Sequence, residues 1–256
     1  MKEEKCIIIE NKNIRKSYYS MQLESEYISS HSAPGNFIML AASRGLDPLL
    51  KRPFGILDVY PPYFRIYYEI VGKGTEIIAA FKPGEMVNVV GPLGNSFPAM
   101  ENQNILLIAG GRGIAPLYYA MRHYVSSNRV YLIYGAKSAD DMNLLDEINK
   151  LGLKEMFLYT DDGSLGKKGF VTTDIREIIG ANAIDTTMSC GPDAMFENLH
   201  HIIGNSGTKN YVSLEAMMGC GFGICYSCAV KVTAGGYKKV CSDGPVFNME
   251  DIAWEK

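Results

Sequence analysis

Four cysteines near the end of the chain, Cys220, Cys225, Cys228 and Cys241, place the strongest constraint on its fold. Their spacing, C-x4-C-x2-C-x12-C, asks one short segment to bring four sulfur atoms together. The first three reproduce the plant-type [2Fe-2S] pattern, in which two sulfide-bridged irons need four thiolates around a small volume. Gly219, Gly221 and Gly223 interleave with the cysteines and let backbone N–H groups approach the sulfurs without an intervening Cβ. Three plainer readings compete. A disulfide framework belongs to oxidising compartments and usually to small chains, and structural zinc usually pairs its cysteines twice, whereas Cys241 stands alone. Four unliganded core cysteines would not need glycine around them.

With 256 residues, 47% of them hydrophobic, the chain can bury two or three cores. A formal charge of −3, with no dense run of Lys and Arg, argues against a nucleic-acid partner. The opening residues Met1 to Lys5 are charged and lead into only four apolar ones, Cys6 to Ile9. This reads as neither a signal peptide nor a membrane span, and a cytoplasmic location is the expectation.

From the start to about Pro98, short runs rich in Ile, Val, Tyr and Phe alternate with turns such as Pro34-Gly35, Pro61-Pro62 and Lys82-Pro83-Gly84. The runs Cys6–Glu10, Ser17–Glu24, Phe37–Ala41, Arg65–Val71 and Met86–Gly91 predict strands of a small antiparallel barrel, with Thr75–Phe81 as a short helix over one end. After Met100 the rhythm becomes strand, glycine turn, helix. Ile105–Ala109 reads as a strand buried on both faces and Pro116–Tyr124 as its helix, followed by strands at Arg129–Tyr134, Glu155–Thr160 and Thr186–Ser189 and helices at Asp140–Lys150, Val171–Ile179 and Pro192–Ile203. The expected fold is therefore an antiparallel β-barrel (1–100), a doubly wound α/β domain (101–210) and a small cluster domain (211–256) with a hairpin turning at Ala234-Gly235-Gly236.

Between the first α/β strand and its helix stands Gly110-Gly111-Arg112-Gly113-Ile114-Ala115-Pro116, a G-x-G-x-x-P variant of the dinucleotide turn. Small residues there admit a pyrophosphate, to which the helix N-terminus offers N–H groups. The acid that usually ends the second strand is missing, with Gly135-Ala136-Lys137 in its place, so Lys137, Lys167 and Lys168 read either as surface charges or as contacts to a 2′-phosphate. The turn Cys190-Gly191-Pro192 opens onto the same crevice; Cys190 is the thiol nearest to it, or simply a small core side chain. In the barrel, Arg52-Pro53-Phe54-Gly55, Tyr68-Glu69-Ile70 and Gly74-Thr75 are candidate contacts to an anion and a flat ring, each also readable as an ordinary surface or barrel residue.

Taken in order, the stretches KRPFGI (Lys51–Ile56), YEIVGKGT (Tyr68–Thr75), GPLGNSF (Gly91–Phe97), GGRGIAP (Gly110–Pro116), CGP (Cys190–Pro192), EAMMGCGFGICYSC (Glu215–Cys228) and CSDGPVF (Cys241–Phe247) resemble the electron-transfer subunits of class B dihydroorotate dehydrogenase, in the ferredoxin reductase superfamily. The resemblance spans nearly the whole chain. It implies an FAD-binding barrel, an NAD-binding domain and a C-terminal [2Fe-2S] domain, passing electrons between NAD and an FMN-containing catalytic subunit in pyrimidine biosynthesis, as a heterotetramer of two plus two. By the same resemblance FAD contacts are Arg52, Pro53, Phe54, Gly55, Tyr68, Glu69, Ile70, Gly74 and Thr75, and the cluster ligands are Cys220, Cys225, Cys228 and Cys241; the two turns read above, Gly110, Gly111 and Gly113 with Cys190, Gly191 and Pro192, are the candidate NAD crevice. The family commonly has serine at the position of Gly55.

No catalytic acid or base is expected, because a hydride donor, a flavin and a cluster need none. The histidines, His31, His123, His200 and His201, read as surface or helix-flank residues. A cluster placed after the nucleotide modules has little use unless electrons leave the chain, so Met217, Met218, Phe222, Ile224 and Tyr226 are candidate partner contacts or packing around the cluster. Two alternatives share these motifs: an NAD(P)H subunit of a bifurcating ferredoxin reductase or cytoplasmic hydrogenase or sulfhydrogenase, and a non-catalytic redox-sensing module. Partner identity separates the first, and a flavin spectrum the second.

Overall fold

The computed structural model describes residues 1–43, 45–204 and 206–254; Glu255 and Lys256, at the end of the expected cluster domain, lie outside them. The first third of the chain closes into a six-stranded barrel from β1 (Lys2–Arg15), β2 (Tyr18–Glu24), β3 (Phe37–Leu40), β4 (Arg52–Tyr60), β5 (Tyr63–Glu69) and β6 (Met86–Leu93), with α1 (Glu26–His31) and α2 (Lys73–Ala80) as its helices. Strand order is β1-β2-β5-β4-β3-β6. Closure depends on the length of β1, whose first residues, Lys2–Ile7, pair with β6 while Ile7–Arg15 pair with β2. The strand therefore runs well beyond the expected Cys6–Glu10. Alternation places Cys6 and Ile8 in the barrel interior and leaves Ile7 and Ile9 outside.

The second unit is a seven-stranded sheet: β7 (Asn104–Gly110), β8 (Arg129–Ala136), β9 (Glu155–Thr160), β10 (Lys167–Lys168), β11 (Thr186–Cys190), β12 (Lys209–Ser213) and a late strand, β15, described below. Helices α3 (Ile114–Tyr124), α4 (Leu145–Ile148), α5 (Ile175–Ala181) and α6 (Asp193–Ile203) complete it. The apolar run of β7 divides by period two between two cores. Leu106 and Ile108 face one, while Ile105, Leu107 and Ala109 face the other. Two expected helices are shorter than the sequence suggests. In place of one helix over Asp140–Lys150 there is a single turn of α4, because Leu144 takes a left-handed conformation (φ +66°) and the backbone N–H of Asn143 donates to the Tyr134 hydroxyl at 3.2 Å. The helix expected at Val171 starts at Ile175, because the Thr173 hydroxyl accepts from the Phe170 N–H at 3.0 Å and holds a turn there.

The cysteine segment carries the hairpin β13 (Ala229–Lys231) and β14 (Tyr237–Lys239), followed by β15 (Val246–Asn248), which pairs antiparallel with β12 and completes the seven-stranded sheet in the order β10-β9-β8-β7-β11-β12-β15. On the other side the segment rests on the barrel. In β3, Ile38 and Leu40 point into the barrel core, whereas Phe37 and Met39, with Leu93 of β6, face the core that contains Cys228 and Cys241. Asn95 fastens the contact by donating from Nδ2 to the Val246 carbonyl at 2.8 Å and accepting from the Val246 N–H at 2.9 Å.

The barrel and the sheet are joined by polar contacts along α3 and α4. Arg65 forms a two-pronged pair with Glu147 at 2.8 and 3.2 Å, the Tyr119 hydroxyl donates to the Ser32 carbonyl at 2.9 Å, and Arg122 pairs with Asp58, whose side chain is fully buried. Among the described residues no helix is long and apolar enough to cross a membrane.

Candidate functional site

The turn after β7 is shaped by close packing against the turn after β11. A Cβ on Gly113 would collide with the Cys190 carbonyl, and one on Gly110 would sit 2.9 Å from Met195 Sδ and 3.0 Å from Pro192 Cδ. Gly111 meets no such neighbour, but its φ of +53° favours glycine. Above these turns, past the carboxyl ends of the parallel strands, lies a cleft of about 680 Å³. Gly110, Gly111, Gly113, Gly191 and Pro192 line it, as the sequence suggests. The Cys190 side chain does not. It is buried beneath the cleft in the core, and burial pushes its thiol pKa well up, so the position contributes backbone and volume. Tyr18, Asp161, Phe170 and Glu215 also line the cleft and were not singled out from sequence; they follow strand ends or face the sheet from the barrel, where no local motif marks them.

Across the barrel wall the structure brings Arg52 and Gly74 together: a methyl group on Gly74 would lie 2.8 Å from Arg52 Cζ. The Arg52 guanidinium thus lies over the start of α2, held by the Leu50 carbonyl. The Thr75 hydroxyl shapes that helix start, accepting from the Val71 N–H at 2.9 Å and donating to the Gly72 carbonyl at 2.9 Å. A guanidinium over a helix N-terminus fits a phosphate-bearing ligand. Glu69 bridges the two units, accepting from Arg112 Nη1 at 3.1 Å, and the Ile70 N–H donates to Ser17. Tyr68 offers no open face: its ring is buried against Phe54 and Tyr19, and its hydroxyl donates to Asn11 at 2.9 Å. Pro53 and Gly55 lie on β4, which the sequence reading did not isolate as a strand. A Cβ on Gly55 would sit 3.6 Å from Pro116 in the dinucleotide turn, an ordinary contact. Gly55→Ser is therefore expected to fold with unchanged stability while altering the absorption of any flavin bound there, which thermal melts and a visible spectrum of the purified variant check.

The four thiols fall into two pairs. Cys228 and Cys241 sulfurs are 3.2 Å apart, and Cys225 Sγ accepts from the Cys220 N–H at 3.4 Å. Backbone N–H groups of Phe222 and Ile224 point at Cys220 Sγ (3.5 and 3.4 Å), and that of Gly223 at Cys241 Sγ (3.1 Å). Gly221 (φ +83°) and Gly223 (φ +90°) make this loop possible, and Gly221 lies so close to Met39 that a side chain there would displace the barrel contact. Ser227 and the nearby amides bring the Cys225 thiol down to about 6, toward the thiolate that binds metals. Burial, then the Cys228 thiol, pushes Cys241 up to about 12. Among the described residues no three His, Cys, Asp or Glu side chains converge as ligands of one ion. Two pairs of sulfurs with amide donors suit a two-iron cluster better than a single zinc.

Residues 215–253 match the family model for the iron-sulfur cluster binding domain of dihydroorotate dehydrogenase B, and residues 107–201 match the oxidoreductase NAD-binding domain. The chain is 37% identical over 262 residues to the dihydroorotate dehydrogenase B (NAD(+)) electron transfer subunit of Bacillus cereus (strain Q1), covering 98% of this chain and 99% of the relative. It is 36% identical to the corresponding subunit of Fusobacterium nucleatum, covering all of both. The chain belongs to this family of electron transfer subunits. It is an oxidoreductase component rather than a stand-alone sensor. Among solved structures, the NADH-dependent reduced ferredoxin-NADP oxidoreductase studied for flavin-based electron bifurcation superposes with a TM-score of 0.86 at 29% identity, covering 97% of this chain and 90% of its own. A ferredoxin NADP+ reductase from Neisseria gonorrhoeae shares the fold, with a TM-score of 0.65 at 14% identity.

The remaining residues of the subunit fall into place around these sites. Met217, Phe222, Ile224 and Tyr226 are exposed around the cysteine loop, Ile224 by 72%, whereas Met218 packs partly buried against the core. Lys137 lines the cleft, while Lys167 is engaged with Asp174 at 2.6 Å. His31, His123 and His201 are exposed and His200 is half-buried, all on helices.

Proposed function

We propose that this subunit carries electrons between NAD(H), bound in the cleft, and an FMN-containing dihydroorotate dehydrogenase subunit, through an FAD at the barrel and a [2Fe-2S] cluster at Cys220, Cys225, Cys228 and Cys241, so that the complex oxidises dihydroorotate to orotate in pyrimidine biosynthesis. The observation that carries this reading is the paired arrangement of the four thiols, on a loop that rests against the same barrel whose Arg52 faces a helix start. FAD, when bound, supplies the exchange between two-electron hydride chemistry and one-electron transfer. The chain's own residues do the holding. Arg52 and the N-terminus of α2 take the phosphates, Gly55 and Pro116 set the approach of barrel and cleft, and the glycine turn with α3 takes the pyrophosphate of the dinucleotide. The exposed apolar residues around the cysteine loop form the face for the catalytic subunit, two copies of each chain making the assembly.

The test is reconstitution without oxygen. Alone, the subunit is expected to contain iron and acid-labile sulfide in equal amounts, to show a flavin spectrum, and to reduce ferricyanide with NADH but not to oxidise dihydroorotate; with the catalytic subunit added, dihydroorotate should reduce NAD. Stoichiometric zinc without iron would overturn the cluster assignment. Docking only to a ferredoxin-linked partner would favour the bifurcating-reductase reading, which the 0.86 superposition supports.

A narrower expectation concerns Arg52. Arg52→Ala is expected to weaken FAD binding by about 1.5 to 3 kcal/mol, the range for a hydrogen bond to a charged group. Gly74→Ala should act in the same direction by pushing the guanidinium aside, with little effect on stability because the clash is with the end of a flexible side chain. Flavin titration of the two apo-variants decides this, and an unchanged dissociation constant returns Arg52 to an ordinary surface role.

A further inference from the structure

We propose that Glu69, at the end of β5, competes with the pyrophosphate of the dinucleotide for Arg112, and so acts from the barrel as a latch that sets how readily the cleft releases its ligand. The inference rests on the nicotinamide-dinucleotide reading of the cleft and deepens it.

Arg112 is the charged residue of the glycine turn and lines the cleft. The turn tightens into a single 3-10 step over Gly111–Gly113 and runs directly into α3, whose first turn carries no acidic side chain and whose start has no side-chain cap. An anion received by the N–H groups of that helix start therefore lies beside Arg112. In the structure the guanidinium is turned toward the barrel instead. Its Nη1 donates to Glu69 Oε2 at 3.1 Å, and it has no other hydrogen bond or ion pair among the described residues.

Glu69, by contrast, is fixed in place. Its other oxygen, Oε1, accepts from the Ser17 hydroxyl at 3.2 Å, its backbone is paired with Tyr18 in the β2–β5 ladder, and the following N–H, that of Ile70, donates to the Ser17 carbonyl at 2.8 Å. Tyr18, which also lines the cleft, is stacked on Tyr67 with ring centroids 5.6 Å apart. The acid thus stays with the barrel, and the long arginine side chain is the partner that moves.

The form of the pair suits exchange. Arg65 grips Glu147 through both of its terminal nitrogens, at 2.8 and 3.2 Å, whereas Arg112 meets Glu69 through one, and its side chain is 46% exposed. A single exposed contact of this kind contributes little, and a phosphate offers a guanidinium two oxygens at once. The dinucleotide must leave at every turnover. An arginine with no alternative partner would hold the pyrophosphate at full strength, and Glu69 weakens that hold by giving the guanidinium a second place to go. Because Glu69 stands between Tyr68 and Ile70, in the segment proposed to contact the flavin, arrival of the dinucleotide also unties the glycine turn from that segment.

The experiment is calorimetric and stopped-flow titration of the full-length flavin-loaded subunit with ADP-ribose, which carries the pyrophosphate but no nicotinamide and so reports binding apart from electron transfer. Arg112→Ala is expected to weaken ADP-ribose by about tenfold or more, the loss of a charge-assisted contact. Glu69→Gln should tighten it by about three- to fivefold, the range of an exposed ion pair, and through slower dissociation rather than faster association. Simple repulsion between Glu69 and the pyrophosphate would also give a gain in Glu69→Gln, and two further variants separate the two causes. In the Arg112→Ala background Glu69→Gln should change the affinity by less than about 1.5-fold, because the latch has nothing to hold. Glu69→Asp, which keeps the charge but falls short of Arg112, should tighten ADP-ribose as Glu69→Gln does. Melting curves and visible spectra matching the wild type will show that the variants fold and keep their flavin. A Glu69→Gln gain that persists in full without Arg112, a Glu69→Asp affinity equal to the wild type's, or an Arg112→Ala affinity unchanged would each overturn the latch while leaving the dinucleotide cleft standing. Failure of the wild type to bind ADP-ribose would overturn the dinucleotide reading and this inference with it.

Discussion

Cys225→Ser will strip the subunit of iron and acid-labile sulfide while leaving its flavin content unchanged. Cys225 is the cleanest of the four proposed ligand positions to test, because it is exposed at the loop surface, whereas Cys228 and Cys241 are buried in a shared core and their replacement would also disturb packing. Serine keeps the size of the side chain but presents a hydroxyl whose deprotonation is far harder than that of a thiol already drawn down to about 6 by Ser227 and the loop amides. The proposed flavin contacts lie on β4, at the end of β5 and at the start of α2, all in the barrel, whereas Cys225 lies in the loop that precedes β13. NADH-dependent reduction of ferricyanide should therefore survive, while transfer to the catalytic subunit should fall below detection. Metal analysis, the visible spectrum and the two assays check this together. Joint loss of flavin and cluster would show that the two sites depend on each other.

The second large effect concerns stability. Arg122→Met removes the cation paired with Asp58, whose carboxylate is completely buried; one oxygen accepts from Arg122 and from the Val59 N–H at 2.9 Å, and the other has no partner among the described residues. Breaking such a pair from one side leaves a buried charge uncompensated, at a cost of about 3 to 5 kcal/mol. For a chain of this size that lowers the apparent melting temperature by roughly 10 °C. Adding Asp58→Asn to Arg122→Met should recover a substantial part of the loss, since the orphaned charge is then removed as well. Thermal and urea denaturation of the three variants decide the matter, and a loss below about 1 kcal/mol for Arg122→Met would make the pair dispensable.

What the sequence revealed of this molecule depended on how locally each feature is encoded. The cysteine loop was legible as a place where thiols gather because its cysteines and glycines are close in the chain, and the structure brings those thiols together in two pairs. The buried strand β7 was legible because both of its faces are covered and its residues are uniformly apolar. The strand β4 was missed because Pro53 and Gly55 interrupt a run that tertiary pairing with β3 and β5 nevertheless holds extended. The helix expected over Asp140–Lys150 failed for a related reason. Its periodicity was adequate, but Leu144 adopts a left-handed backbone beside Asn143, whose N–H is taken by Tyr134 from another strand. Ring positions were also beyond reach: Tyr68 reads equally well as a stacking face or as a barrel brace, and only the barrel packing around Asn11, Tyr19 and Phe54 separates the two. Asp161 and Phe170 lie in loops, and their relation to the glycine turn exists only once the parallel strands are aligned.

The cysteine segment is tied down twice, by β15 in the edge of the seven-stranded sheet and by Gly221 and Asn95 against the barrel. A relay carried on a tether would have to diffuse between its donor and its acceptor, and its pace would slow as the solvent thickened. Here the spacing between the barrel and the thiols is built in during folding. Passage within the subunit accordingly has no swinging step, and its rate will be indifferent to added glycerol or sucrose. Any dependence of the whole complex on viscosity must then arise where nucleotide enters and leaves or where the two kinds of subunit meet.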